Sequence, residues 1–237
     1  MSNTESVSSA AARAKSAAPA LSDISARVKN ELLKAIAERI EHSGALIEKA
    51  NASDMARAAD KPQASLDRLR FDGQRIRSAA DGLRKLAELP DPVGRVIDDR
   101  TLYNGLRLKT TAVPFGAIAV GYEARPNVTV VAAGLCLKSS NAAVLRGSND
   151  AIATNRALVG VIGDVLSEFG IDRASVTLVE CGHEGVVELL TLDGVIDLAI
   201  PRGSAELIRF VRRSATVPVI ETGAGNCTAY IDKSADI

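Results

Sequence analysis

Large aromatic side chains are nearly absent from this sequence. It has no tryptophan, and aromatic residues make up 3% of its 237 residues. A core built without large rings must be filled by aliphatic side chains, and hydrophobic residues reach 46% of the composition. The composition is typical of a soluble globular protein with one large domain or two small ones.

An excess of charge is absent as well. The 29 basic residues balance 29 acidic ones, so net charge predicts neither a nucleic acid nor a membrane surface as partner. No apolar run approaches the ~20 residues of a membrane span. Arg13 and Lys15 interrupt the start of the chain where a secretory signal needs an apolar core. We therefore expect a cytoplasmic protein.

Cysteine and histidine are scarce and scattered, which excludes several kinds of site. Three cysteines without a CxxC motif do not form a disulfide framework. His42 and His183 lie far apart in sequence, so we predict no metal site. Cys136 and Cys181 stand in apolar contexts typical of buried structural thiols.

Two patterns divide the chain. Residues 1–20 are small and polar, which predicts a flexible N-terminus. Apolar residues recur every four positions from Val28 to Ile40, which predicts an amphipathic helix, and Asp72 is placed to cap a later one. Alternating residues then predict a half-exposed strand in a pair near 100–113.

Short apolar runs alternate with helical segments after this point. The runs are GAIAVGYEA, AAVLRG, VTLVE, DLAI and VPVI. Strands of this kind predict an α/β fold, a Rossmann-like open parallel sheet with flanking helices, preceded by an N-terminal helical segment. We assign residues 21–237 to this one domain.

The loops that follow the predicted strands are polar or contain glycine, which predicts one ligand site at the carboxyl edge of the sheet. Arg146, with Ser148 and Asn149 at a helix start, suits a phosphate, or equally is a solvated arginine beside an ordinary cap. Gly203 and Ser204 form a turn that fits either a pyrophosphate cradle or a serine-capped helix.

Two further segments could carry chemistry. Asn127 is either a helix N-cap or a donor to an oxyanion. Glu221 precedes Cys227 in ETGAGNC, so Cys227 is either an activated nucleophile or a packed thiol.

Four segments together resemble the gamma-glutamyl phosphate reductase family of the aldehyde dehydrogenase superfamily. They are VPFGAIAVGYEARPNVTVVAAGLCLKSSNAAVLRG, SLDRLRFDGQRI, GLRKLAELPDPVG and ETGAGNCTAYIDKSADI. The resemblance implies an NADP-binding domain and NADPH-dependent reduction of L-glutamyl 5-phosphate to L-glutamate 5-semialdehyde and phosphate, in proline biosynthesis. It also implies a homo-oligomer, with glutamate 5-kinase as a candidate partner. A non-catalytic nucleotide-binding module of the same fold is the alternative.

The resemblance also implies roles for individual residues. Arg146, with Ser148 and Asn149 beside it, matches a basic residue near the adenosine ribose, which favours NADP. Gly203 and Ser204 match the turn under the pyrophosphate.

The catalytic positions match less closely. Asn127 matches an oxyanion-hole asparagine, although here it follows a proline. Glu221 matches a glutamate that activates water in hydrolytic relatives. Water would destroy a thioester intermediate, so we expect Glu221 to position another group instead.

The family's nucleophilic cysteine lies in a stretch resembling RPSVCNA, beyond the ETGAGN segment. The printed sequence does not contain this stretch. We therefore expect the catalytic domain to be absent beyond residue 237 and the chain to be inactive by itself. In this comparison Cys227 does not match the nucleophile.

Overall fold

The computed structural model describes residues 5–221 and 228–235. In this part of the chain, five helices precede a two-stranded hairpin, after which strands alternate with helices. The helices are α1 Val7–Ser22, α2 Ala26–His42, α3 Gly44–Arg57, α4 Gln63–Leu69, α5 Gly73–Glu88, α6 Pro126–Lys138, α7 Ile152–Glu168, α8 His183–Leu190 and α9 Ala205–Ser214. The strands are β1 Val96–Thr101, β2 Arg107–Thr111, β3 Ala117–Tyr122, β4 Ala142–Arg146, β5 Val176–Leu178 and β6 Leu198–Arg202.

Four strands form the predicted parallel sheet, in the order β5-β4-β3-β6. Ile118 of β3 lies beside Ala143 on one side and Leu198 on the other. Helices cover both faces, so apolar side chains are buried on each, as the uninterrupted apolar runs indicated. The α/β expectation is confirmed. The predicted strand VPVI is reduced to one bridge, between Val219 and Ala199.

Helix α1, Val7–Ser22, covers most of the stretch over residues 1–20 for which we predicted flexibility. Helix α1 begins after Ser6, whose side chain accepts a hydrogen bond from Ser9 N at 3.2 Å. Ala11 and Ala14 are fully buried against the sheet layer. Small side chains allow this close approach, and the Lys15–Asp197 ion pair at 2.6 Å ties α1 to the start of β6.

The other N-terminal predictions agree with the structure. The apolar stripe of α2 is buried at Leu32, Ile36 and Ile40. Asp72 accepts a hydrogen bond from Arg75 N at 3.1 Å and so caps α5. The short helix α4, which follows Pro62, was not predicted.

The hairpin β1–β2 differs from the half-exposed strand that the alternation predicted. Every residue of β2 is exposed, and β1 is exposed except at Asp98. No element in the described part of the chain covers either face of the hairpin.

Candidate functional site

A cleft of about 340 Å³ opens at the carboxyl ends of β3, β4 and β6. One part of its lining is apolar and comes from two helices: Val186, Leu189 and Leu190 of α8, and Leu207 and Val211 of α9. Another part is polar and comes from the loops after the strands. The cleft therefore combines an apolar slot between two helices with charged groups at the edge of the sheet, as expected for a ligand site in a parallel sheet.

Two predicted cofactor residues line this cleft. Arg146, the last residue of β4, donates a hydrogen bond from Nη2 to Cys181 O at 3.1 Å. Its Nε is buried and has no hydrogen-bond partner among the described residues. Ser148 accepts a hydrogen bond from Asp150 N at 3.2 Å and starts a single 3₁₀ turn. An arginine with an unused buried donor is suited to an anionic ligand group.

The Gly203–Ser204 turn lies at the start of α9. The Ser204 side chain accepts a hydrogen bond from Leu207 N, so the serine-cap interpretation agrees with the structure. Ser204 N also donates to Glu123 Oε1 at 2.9 Å. A Cβ at Gly203 would lie 2.7 Å from the Glu123 carboxyl carbon, so this glycine allows the carboxylate to approach. Glu123 therefore places negative charge at the positive end of α9.

Electrostatics keep this carboxylate ionised. Burial opposes ionisation of Glu123, but the hydrogen bond from Ser204 and the charges of Arg68 and Arg125 lower the pKa of its carboxyl group.

The other predicted residues do not line the cleft; besides Gly203, Ser204 and Asn127, they are Asn149 and Glu221. Asn149 is exposed within the 3₁₀ turn. Glu221 is 44% exposed, and its nearest charged partner in the described chain is Arg212 Nε at 3.8 Å. Glu221 lines neither the cleft nor the cavity that contains Asn127, the other predicted catalytic residue. Cys227 lies outside the described residues.

A second cavity of about 450 Å³ adjoins the cleft. Its polar lining includes Arg68, Arg70 and Arg125, and it contains Asn127. Arg68 and Arg125 line both the cleft and this cavity, so the two spaces meet at these arginines.

Asn127 is not the N-cap of α6. The N-cap is Arg125, followed by Pro126 at the first helical position, and Asn127 lies in the first turn with an exposed side chain. The side chain is thus available to a ligand in the second cavity, as an oxyanion donor requires.

Neither cysteine in the described part of the chain is a suitable nucleophile. Burial raises the pKa of Cys136 to about 12. Burial also raises the pKa of Cys181, although Arg146 opposes this effect. Both thiols are therefore protonated near neutral pH, and a thiol must ionise to attack an acyl group. His183 is the first residue of α8.

Arg68, Arg70, Arg125 and Glu123 line these spaces but were not predicted as site residues from the sequence. The available signal was the density of basic residues between Lys61 and Arg77, ahead of the loop YEARPN. In the described residues no group of His, Cys, Asp or Glu could hold a metal ion. No helix there has the length and apolarity to cross a membrane.

Known proteins match this chain along nearly all of its length. It is 50% identical over 236 residues to a gamma-glutamyl phosphate reductase of Kineococcus radiotolerans, an alignment that covers 98% of this chain and 55% of the relative. A relative of the same name from Geobacillus kaustophilus is 45% identical over 229 residues, covering 95% of this chain and 55% of the relative. The chain thus spans about half the length of these relatives.

Structural comparison gives the same result. The crystal structure of a gamma-glutamyl phosphate reductase from Thermotoga maritima superposes with a TM-score of 0.90 at 39% identity, covering 98% of this chain and 57% of that one. The profile of the "Aldehyde dehydrogenase family" matches residues 1–237. The chain therefore belongs to the aldehyde dehydrogenase family.

Proposed function

We propose that this chain forms the cofactor-binding part of an NADPH-dependent reductase. The enzyme converts L-glutamyl 5-phosphate to L-glutamate 5-semialdehyde and phosphate. The observation that carries the proposal is the cleft beyond β3, β4 and β6, in which Arg146 holds an unused buried donor opposite an apolar slot. The similarity to reductases of this name over 98% of the chain supports the substrate.

The lining of the cleft fits a phosphorylated dinucleotide. The slot between α8 and α9 suits an adenine ring, because both walls are aliphatic. Arg146 and Ser148 would hold the ribose 2′-phosphate, and the start of α9 at Ser204 would hold the pyrophosphate. Glu123 already occupies that helix start as an anion, so we propose that it yields this position when the cofactor binds.

The protein's own groups would act on the acyl carbon. Asn127 donates a hydrogen bond to the acyl oxygen as negative charge develops on it. Arg68 and Arg125 stand where the two cavities meet and bring the acyl group towards the cleft. When bound, NADPH supplies the hydride that reduces the acyl group to the aldehyde.

Assembly and location are part of the same proposal. We propose a homo-oligomer in the cytoplasm, with glutamate 5-kinase as its candidate partner. The exposed apolar side chains of the hairpin region, such as Ile97 and Tyr103, supply a surface for subunit contact.

Two assays test the function. Titration of NADPH and NADH, followed by nicotinamide fluorescence, is expected to give weak binding that favours NADPH. Phosphate-dependent oxidation of L-glutamate 5-semialdehyde by the 237-residue chain is expected to be absent, because neither described cysteine forms a thiolate. Binding that favours NADH contradicts the cofactor assignment, and measurable turnover points to Cys227 as the nucleophile.

A further inference from the structure

We propose that the second cavity, here called the arginine cavity and defined by Arg68, Arg70, Arg125 and Asn127, binds the phosphoryl group of the acyl phosphate. The identity of the substrate rests on the proposed function. That the cavity prefers a phosphate dianion is argued from the charge and position of the residues that line it.

The arginine cavity has an excess of positive charge. Its lining contains one further arginine and one carboxylate, Arg75 and Asp67, which pair with each other at 2.9 Å. No ion pair within residues 5–221 and 228–235 involves Arg68, Arg70 or Arg125. These three guanidinium groups are therefore without an ion pair there, although the charges of Arg68 and Arg125 also lower the pKa of Glu123 in the cleft. Guanidinium forks match phosphate oxygens well.

The position of the cavity favours the phosphoryl group over the other charged groups of the substrate. In the acyl phosphate the phosphoryl oxygen is bonded directly to the acyl carbon, whereas three carbon atoms separate that carbon from the α-carboxylate. Asn127, the proposed donor to the acyl oxygen, lines the same cavity as the three arginines. An acyl group held at Asn127 therefore places its phosphoryl group, and not its α-carboxylate, next to them.

Arg70 extends from a backbone segment that is held in place. The buried Asn51 donates from Nδ2 to Leu69 O at 2.9 Å and accepts from Phe71 N at 2.8 Å, on either side of Arg70. Arg75 Nη1 donates to Arg70 O at 2.7 Å. A fixed backbone reduces the entropy lost when Arg70 orders on a ligand, which favours binding.

Two variants separate the arginine cavity from the cofactor cleft. Of these two spaces, Arg70 lines the arginine cavity and not the cleft, and Arg146 lines the cleft and not the arginine cavity. The 237-residue chain is titrated with inorganic phosphate, followed by ³¹P line broadening, and with NADPH, followed by fluorescence. We expect Arg70→Met to weaken phosphate binding roughly tenfold, equivalent to about 1.4 kcal/mol, and to leave NADPH binding unchanged. We expect Arg146→Met to weaken NADPH binding and to retain phosphate binding.

Arg77→Met is the matched control. It removes the same charge from the exposed face of α5, and Arg77 does not line the arginine cavity. We expect it to bind both probes as the unmodified chain does. Circular dichroism confirms that each variant is folded.

The other results have distinct meanings. Phosphate binding that is absent, or that is lost equally in the Arg70 and Arg77 variants, overturns the proposal. If only Arg146→Met loses phosphate binding, the phosphate binds in the cleft, and the proposal is overturned. If L-glutamate, and not phosphate, binds in an Arg70-dependent way, the cavity holds a carboxylate and the phosphoryl assignment is wrong. Arg70-dependent phosphate binding without NADPH binding supports the arginine cavity and contradicts the proposed cofactor function.

Discussion

The two sheets in the described part of this chain are both held by backbone hydrogen bonds but differ in what covers them. In the parallel sheet, Leu145 and its neighbours on β4 are fully buried between helices. In the hairpin β1–β2, Ile97 is 61% exposed, and Tyr103 in the connecting turn is fully exposed. Pairing alone thus forms a sheet, whereas burial of both faces is what makes a sheet a stabilising core.

The largest expected difference between these regions comes from removing apolar volume. Leu145→Ala in β4 should reduce the free energy of unfolding by about 2–5 kcal/mol, because it leaves a cavity in a packed layer. Leu106→Ala, next to the hairpin strand β2, should change it by less than about 0.5 kcal/mol, since Leu106 is 59% exposed. Urea unfolding of both variants measures this contrast, and similar losses would show that the hairpin is packed.

A second contrast in stability is between a buried carboxylate in the packed region and an exposed carboxylate in the hairpin. Asp54 of α3 is fully buried and accepts hydrogen bonds from Thr154 N at 2.8 Å and Thr154 Oγ1 at 2.6 Å, at the start of α7. Asp54→Ala should cost about 1–3 kcal/mol, because it leaves these donors without a partner. Asp99→Ala in the hairpin removes an exposed pair with Arg107 and should not change the urea midpoint measurably. A larger effect at Asp99 would contradict the contrast.

The last expected effect depends on pH. Asp91 pairs with the buried Lys29 at 2.5 Å. Burial acts to raise the pKa of Asp91, but hydrogen bonds from Lys29 and Val93 N outweigh it and lower the pKa below its ordinary value. A carboxyl group with a lowered folded-state pKa adds stability above its unfolded pKa of about 3.9, and this is lost as pH falls through the folded value.

The matching experiment follows unfolding of the chain and of Asp91→Asn from neutral to acidic pH. The difference in stability between them should be constant near neutrality and shrink below about pH 4. A difference that does not change with pH would show that the ionised form of Asp91 does not stabilise the fold through its pair with Lys29.

Sequence periodicity predicted the parallel sheet, because each buried strand is a continuous apolar run. It also placed Arg146 and Ser148 correctly at the carboxyl edge. It did not find Arg68 or Glu123, because these residues reach the site through packing between α4, the loop after β3 and α9, and no local pattern encodes that contact. Helix α1 was not predicted, because its Ala- and Ser-rich sequence has only a weak apolar stripe. Packing against the sheet, rather than this local pattern, stabilises the helix.

The most direct test of the central claim compares NADPH and NADH affinities before and after Arg146→Met. If Arg146 holds the 2′-phosphate in the cleft, its loss should weaken NADPH binding by roughly tenfold or more, as for a lost charge-assisted hydrogen bond. NADH, which lacks that phosphate, should bind almost as before. Equal changes for both cofactors would contradict the assignment of Arg146 and of the cleft as an NADP site.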